Sequence, residues 1–339
     1  MDLETPHTPR RGGSRAGEAA VLADRPDGTV VRCGPVVAKA HAPAAAPDDP
    51  ADLAARLRLA ADPRAAGILL PPLTPEPGIL PGGRPMTLWP YGAPVCPDRP
   101  EAAPWEEAGA LLARLHTLPY GDLPLPPARG PAKAARAVAR LIGSAARDTA
   151  AAEAVLRAWE GLPPWARAEA PVPVARAEAS SLSGGGRAPA PSGRAEPPGP
   201  ATHAEAPGPG GRAVCHGDLH LGQLVRHPAP DGPWLLIDID DLGLGDPAWD
   251  LARPAAWYAT GLLAPGDWTR FLAAYRAAGG PAGGFGDDPW PVLDVPARAL
   301  TVQSAATALA KAAAARAGLD EAAEAMVDAC ARIAGLPRP

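Results

Sequence analysis

From Ala19 onward the chain alternates short apolar runs with turn residues. The runs AAVLAD, TVVRC and VVAKAH are separated by Arg25-Pro26-Asp27-Gly28 and by Gly34-Pro35, which predicts a three-stranded antiparallel meander. The period then changes. DPADLAARLRLAAD (49–62) opens with acidic and capping residues and sets Leu53, Leu57 and Ala60 on one face, predicting a helix. ILLPPL (68–73) and MTLWPYG (86–92), split by a turn that holds Gly82 and Gly83, read as two further short strands. Residues 18–92 therefore read as a small lobe of five strands and one helix.

Helical spacing dominates after Gly92. WEEAGALLARLHTL places Trp105, Ala108, Leu112 and Leu115 on one stripe, and 131–161 reads as one or two alanine-rich helices. Helical patterns return at 247–279 and 296–334, with Asp320 and Glu321 opening the last helix and Gly335 and Pro337 closing it. A helical lobe over 93–335 is expected, interrupted by a Pro-, Ala-, Gly- and Ser-rich stretch (164–212). That stretch lacks the large apolar residues that would offset the entropy of ordering, so it reads as a disordered insertion or tether. Residues 1–17, polar and without periodicity, read as a disordered tail.

The chain has 339 residues and a net charge of −5, which argues against standing partners such as nucleic acid or an anionic membrane. It shows neither the apolar core of a secretory signal nor a continuous apolar run long enough to span a bilayer, so a cytoplasmic protein is expected. Its 4 cysteines lie far apart, without the close pairs of a zinc cluster or a disulfide framework. Lysine is scarce: Lys39, Lys133 and Lys311 are the 3 lysines, leaving 29 of the 32 basic residues as arginine. A lysine on an apolar strand stands out in such a chain.

The sharpest segment is AVCHGDLHLGQLVRH (213–227), where His216, Asp218 and Gln223 follow the spacing H-x-D-x-x-x-x-Q. Kinase catalytic loops have this layout, because an aspartate accepts the proton of the attacking hydroxyl while an amide five residues on holds magnesium. Asp218 takes the role of base and Gln223 that of ligand. WLLIDIDDLGLGDPAWDLA (234–252) then supplies a fully apolar strand that delivers Asp238 and Asp240 at its end. Hard oxygen ligands suit magnesium, so Asp238 is the first metal ligand expected and Asp240 a second, with Asp241 solvated.

HGDLHLGQL followed by LIDIDDLGLGDPAWDLA resembles the aminoglycoside phosphotransferase and choline-kinase-like superfamily. GALLARLH is similar to the family's helix after the hinge. The resemblance implies an α+β, bilobal, protein-kinase-like fold with a small antiparallel β lobe and a mainly helical lobe, binding ATP between them and acting on a small hydroxylated substrate. It gives Asp218 as catalytic base, Gln223 and Asp238 on Mg²⁺, Lys39 on the ATP phosphates, and Trp89-Pro90-Tyr91 as the hinge beside adenine. His216, Asp246 and Asp250 are then structural supports, and Asp246, just before Pro247, sits where a helix cap is expected.

The chain departs from the family pattern in three places. Gln223 stands where most of the superfamily has asparagine. The helix after Lys39 holds no glutamate, so either Asp52 replaces the usual partner or the pair is absent. The first turn has no G-x-G-x-x-G. HGDLHLGQ also resembles the loop of maltokinases. A sugar kinase of that kind and a kinase-fold protein that binds nucleotide without catalysis remain as alternatives. So does a metallohydrolase on His216, Asp218 and His220, although the alternation with Leu219 and Leu221 turns His220 elsewhere. Asp267, Asp287, Asp288 and Asp294 mark where a cationic acceptor would be met in the helical lobe.

Overall fold

The computed structural model describes residues 19–25, 28–42, 50–169, 212–284 and 287–336. The expected tail (1–17) and most of the stretch 164–212 lie outside the described residues.

Three strands, β1 (Ala19–Arg25), β2 (Gly28–Cys33) and β3 (Val36–His41), form the meander that the turns predict. Helix α1 (Pro50–Ala60) follows, then β4 (Gly78–Ile79) and β5 (Pro85–Pro90). The five strands make one antiparallel sheet in the order β1-β2-β3-β5-β4. In it Lys39 sits opposite Val30 on one side and Thr87 on the other, on a central strand.

Residues 68–73 are not a strand of this sheet. Ile68, Leu69 and Leu70 are buried, the Leu70 N–H donates to the carbonyl of Leu236 at 2.9 Å, and the Leu236 N–H donates to Ile68 at 2.9 Å. The apolar run thus serves burial between the two lobes, while Pro71 and Pro72 remove the donors a longer ladder needs. The fourth strand is instead the two-residue β4, too short to give a hydrophobic pattern.

The helical lobe contains α2 (Trp105–His116), α3 (Gly130–Ile142), α4 (Ala150–Glu160), α5 (Ala248–Thr260), α6 (Pro265–Ala277), α7 (Trp290–Ala315) and α8 (Glu321–Ala334). Short strands β6 (Ala93–Pro94), β8 (Leu224–Arg226) and β9 (Trp234–Leu236) form a small sheet. β7 (Ala213–Cys215) pairs with β10 (Gly243–Gly245), so the two motif segments lie side by side.

The stripe Trp105, Ala108, Leu112 and Leu115 is buried against Phe271 and Tyr275 of α6. The approach is close: a Cβ on Gly109 would lie 2.2 Å from the Phe271 carbonyl oxygen, so α2 and α6 meet backbone to backbone. A second apolar cluster, with Val138, Leu141, Val155, Val302 and Met326, joins α3, α4, α7 and α8. Asp320 caps α8 by accepting from the Ala323 N–H at 2.8 Å. Pro164–Glu169, assigned by composition to the insertion, pack onto the helices: Ala166 is buried and Trp165 meets Trp249 edge to face at 6.5 Å. Among the described residues no helix is long and apolar enough to cross a membrane.

Candidate active site

Buried β7 delivers the HGD segment to the lobe junction. The turn depends on Gly217, whose φ of +82° is a left-handed conformation and whose Cβ, if present, would lie 2.4 Å from the Asp241 carbonyl oxygen. Asp250, at the start of α5, fixes the turn from below. It accepts the N–H of His216 at 2.5 Å and that of Gly217 at 2.7 Å. His116 on α2 sits 3.0 Å from the same carboxylate through Nε2 and 2.8 Å from the Tyr275 hydroxyl through Nδ1. The Asp250 carboxylate can only accept, so His116 donates from Nε2, and the neutral ring then accepts the Tyr275 O–H at Nδ1, while the hydroxyl oxygen accepts the Ala282 N–H. Burial drives the Asp250 carboxyl upward, but the His116 hydrogen bond and the backbone N–H groups outweigh it and hold it below its ordinary range.

His216 has the supporting place expected of it, its Nε2 lying 2.8 Å from the Ile237 carbonyl just before Asp238. Asp246 accepts the Ala248 N–H at 2.9 Å in the first turn of α5, one residue ahead of the cap position taken by Pro247.

Asp218 lies between two cations that the sequence reading missed. Arg253 Nη2 on α5 donates to Asp218 Oδ1 at 2.5 Å, and Lys133 Nζ on α3 donates to the same oxygen at 3.3 Å. Burial raises this carboxyl, while Lys133, Arg253 and His220 together hold it below its ordinary range, so it is a carboxylate at neutral pH. Lys133 also pairs with Asp241 at 2.7 Å, so Asp241 is not the solvated residue expected but part of the same charge cluster. His220 also departs from expectation: its Nε2 faces Asp218 at 3.9 Å, because Nδ1 accepts the Gly222 N–H and turns the ring inward. Desolvation lowers its pKa. With His216 turned to Ile237, however, His216, Asp218 and His220 do not converge as a metal triad.

Asp238, two residues past β9, is in a left-handed conformation, φ +64°, a strained state for a non-glycine residue of the kind held at functional sites. Around it gather Lys39 at 2.6 Å and the Gln223 amide at 3.1 Å, and Lys39 bridges on to Asp240 at 2.9 Å. Asp240 also meets His41 at 3.4 Å. Burial would lower the Lys39 pKa, but Asp240 and Asp238 raise it above the usual lysine range. The lysine therefore pairs with Asp238 and Asp240, and Asp52 does not replace the missing glutamate: it faces Arg129 at 3.4 Å. A further unforeseen residue is Arg56 of α1, buried, donating to the Leu242 carbonyl at 2.8 Å and fastening the lobe to the loop that carries Asp238–Asp241.

The donor set suits magnesium. Asp238 and Asp240 present carboxylate oxygens, and Gln223, nearly buried, presents an amide whose oxygen and nitrogen exchange places by a half-turn. By contrast, the buried group His116, Cys215 and Asp250 has its own partners, and burial pushes the Cys215 thiol up, away from the thiolate a metal needs.

At the hinge, Trp89 is buried and donates its indole N–H to Thr87 at 2.9 Å. The Tyr91 N–H donates to Pro35 at 2.7 Å and its carbonyl accepts from His227 Nδ1 at 3.1 Å, so its backbone groups are engaged within the protein. The Tyr91 ring is stacked by the Arg32 guanidinium at 3.4 Å.

Beyond Arg253, α5, α7 and α8 enclose an open cleft of about 770 Å³. A small void beside Asp218 and Lys133 shares Arg253 and Gln303 with it, which ties the cleft to the HGD loop. None of the four aspartates expected there lines it. Asp267 and Asp294 pair with Arg270 and Arg298 one helical turn away, Asp288 caps the Trp290 N–H, and the Asp287 carbonyl accepts from Arg276.

Residues 194–294 match the phosphotransferase enzyme family, a span that holds Asp218, Gln223, Asp238 and Asp250. No curated relative matches the chain in sequence. Among solved structures, a choline/ethanolamine kinase family protein from Mesorhizobium loti is 16% identical, with 96% of this chain and 90% of that one covered and a TM-score of 0.57. A thermostable mutant of the aminoglycoside phosphotransferase APH(4)-Ia is 12% identical over 94% of this chain and 95% of that one, TM-score 0.54. Spectinomycin phosphotransferase APH(9)-Ia, in complex with ADP and spectinomycin, is 11% identical over 93% and 92%, TM-score 0.52. At these identities the likeness shows the fold, which is α+β, bilobal and protein-kinase-like.

Proposed function

We propose that the chain is a kinase that transfers the γ-phosphoryl group of ATP to a hydroxyl of a small molecule. The observation that carries this reading is the paired arrangement at the lobe junction. One carboxylate, Asp218, is kept ionised by Lys133 and Arg253, and a second pair, Asp238 and Asp240, gathers on Lys39 with the Gln223 amide on Asp238. The family match over 194–294 supports it.

The β-rich lobe over 18–92 and the helical lobe over 93–335 would hold the nucleotide between them, with Trp89 and Tyr91 on the adenine side. Asp218 orients the acceptor hydroxyl and takes its proton as the oxygen bonds to phosphorus and the bond to the leaving oxygen of ADP breaks. Lys39 gives the phosphates a cation on a rigid central strand. Asp250, His116 and His216 keep the HGD backbone from moving while this occurs. Gln223 and Asp238 would hold Mg²⁺, joined by Asp240, and the ion, when bound, supplies neutralisation of charge on the transferred group.

The test is Mg²⁺-dependent release of ADP from ATP with a panel of hydroxylated acceptors, using the wild type and Asp218→Asn. Loss of turnover by roughly a thousand-fold, with nucleotide binding retained, is expected. Turnover unchanged in Asp218→Asn would falsify the assignment.

A further inference from the structure

The cleft next to Arg253 has a charge opposite to the one the acidic composition of the helical lobe leads one to expect. Its ionised lining groups are Arg253, Lys311 and Asp320. Asp320 is engaged by the Ala323 N–H as the cap of α8. Arg253 gives one guanidinium nitrogen to Asp218, which leaves further donors of the fork for the cleft it lines. Lys311 makes no ion pair among the described residues and is exposed at the rim.

The remainder of the lining has two characters. Trp257, Leu262 and Met326 give an apolar wall, while Gln303 and Ser304 give neutral polar groups. At about 770 Å³ the space fits one small organic molecule.

Lysine usage supplies an independent observation. In a chain where 29 of 32 basic residues are arginine, the 3 lysines are Lys39 on Asp238, Lys133 on Asp218 and Lys311 on this cleft. Lys133 and Lys311 thus border two spaces that share Arg253 and Gln303.

We propose that the acceptor is a hydroxylated organic acid with an apolar flank, and that the cleft selects against polycationic amino sugars. The carboxylate of such an acceptor is drawn in by the charge of Lys311 and meets the free donors of Arg253, its apolar flank lies on Trp257, Leu262 and Met326, and its hydroxyl turns toward Asp218, the partner of Arg253. In the transfer the hydroxyl oxygen bonds to the γ-phosphorus, ADP leaves with the bridging oxygen, and the proton passes to Asp218. A polyamine in the same place sets its ammonium groups against two cations, with a single carboxylate, Asp320, in the lining.

This inference rests on the kinase reading for the meaning of the cleft but not for its test, which is binding without nucleotide. Isothermal titration calorimetry of the full chain with 3-phenyllactate and with kanamycin separates the two charge classes. Saturable binding of phenyllactate, no binding of kanamycin, and an affinity for phenyllactate weakened roughly ten-fold in Lys311→Glu are expected. Ser304→Trp, which fills the cleft from a partly exposed helix position, abolishes phenyllactate binding. Circular dichroism of both variants confirms that they are folded. Saturable kanamycin binding, absence of phenyllactate binding at millimolar concentration, or an unchanged affinity in both variants overturns the inference. Failure of ATP turnover with phenyllactate binding intact counts instead against the kinase reading.

Discussion

Lys39 Nζ lies 2.6 Å from Asp238 Oδ1 and 2.9 Å from Asp240 Oδ2, so one lysine of the β lobe holds together the two carboxylates that follow β9. The contact joins residues 199 positions apart and ties the lobes across the cleft. It also explains how two neighbouring carboxylates are tolerated beside a left-handed backbone at Asp238: the lysine cancels most of their mutual repulsion. Lys39 sits on a central strand of the β lobe, and its partners are carboxylates of a kind that suit a cation.

Removing that lysine therefore has a specific signature. Lys39→Met leaves Asp238 and Asp240 facing each other and lowers stability by about 2 kcal/mol, less than a fully buried pair because both carboxylates are about a third exposed. Millimolar Mg²⁺ restores much of the loss in the variant and changes the wild type little. Thermal melting of both proteins in EDTA and in Mg²⁺ reads this directly, and equal responses to the ion would show that the carboxylates do not accept it.

Asp218 is held below its ordinary carboxyl range because Lys133 and Arg253 outweigh the effect of burial. Its contribution to stability is thus present above the ordinary carboxyl pKa of about 4 and is lost as pH falls through the lower value of the folded protein. In Lys133→Ala or Arg253→Ala the burial effect gains the upper hand and the carboxyl titrates higher. The acid limb of the pH profile of kcat/KM moves to higher pH in both variants, with a loss of roughly ten- to hundred-fold at neutral pH. An unmoved limb with reduced rate would mean that the cations bind substrate only.

The difference between what was legible in the sequence and what was not follows from the range over which each signal acts. The meander was legible because turn residues and alternation are local, and so was α2, whose stripe of Trp105, Ala108, Leu112 and Leu115 needs only a period of 3.6. Asp218, Gln223 and Asp238 are named by spacings within short segments, and Lys39 by its strand position together with the family resemblance. Lys133 and Arg253 were not, because each reaches Asp218 from a helix that packing places there, 85 and 35 residues away. His116 lay inside a stripe read as core, and its polar partners, Asp250 and Tyr275, come from two other helices. The run 68–73 misled for the opposite reason: apolarity reports burial, and here burial is between lobes and not within a sheet.

The buried chain Tyr275, His116 and Asp250 is expected to carry stability as well as alignment. Asp250→Asn leaves one acceptor oxygen for three donors and costs about 3 kcal/mol, while Tyr275→Phe costs about 1 kcal/mol, as urea unfolding will measure. Asp250 titrates below its ordinary range in the folded state, so its stabilisation exists above pH of about 4 and disappears as pH falls through that lower value. In Asp250→Asn this part of the acid dependence is gone, and the stability curve is flatter at its acid end. A curve of unchanged shape would show that another carboxylate governs acid unfolding.

Gly217 allows alignment and stability to be separated. An alanine there must adopt φ +82° and bring its Cβ to 2.4 Å from the Asp241 oxygen, a contact that forces the HGD turn and the Asp241 loop apart. The two loops share Lys133, so the displacement moves Asp218 relative to its cation. Gly261, which ends α5, has the same φ of +82° but nothing within 4 Å of an added Cβ. Both Gly217→Ala and Gly261→Ala carry the backbone strain of about 1 kcal/mol, and Gly217→Ala adds the cost of the clash. Gly217→Ala should lower kcat by roughly a hundred-fold, since misplacement of about 1 Å has that effect on an oriented reaction, while Gly261→Ala keeps full activity. Comparable kcat in the two variants, with melting temperatures confirming both folds, would mean that the close contact with Asp241 does not set the position of the base.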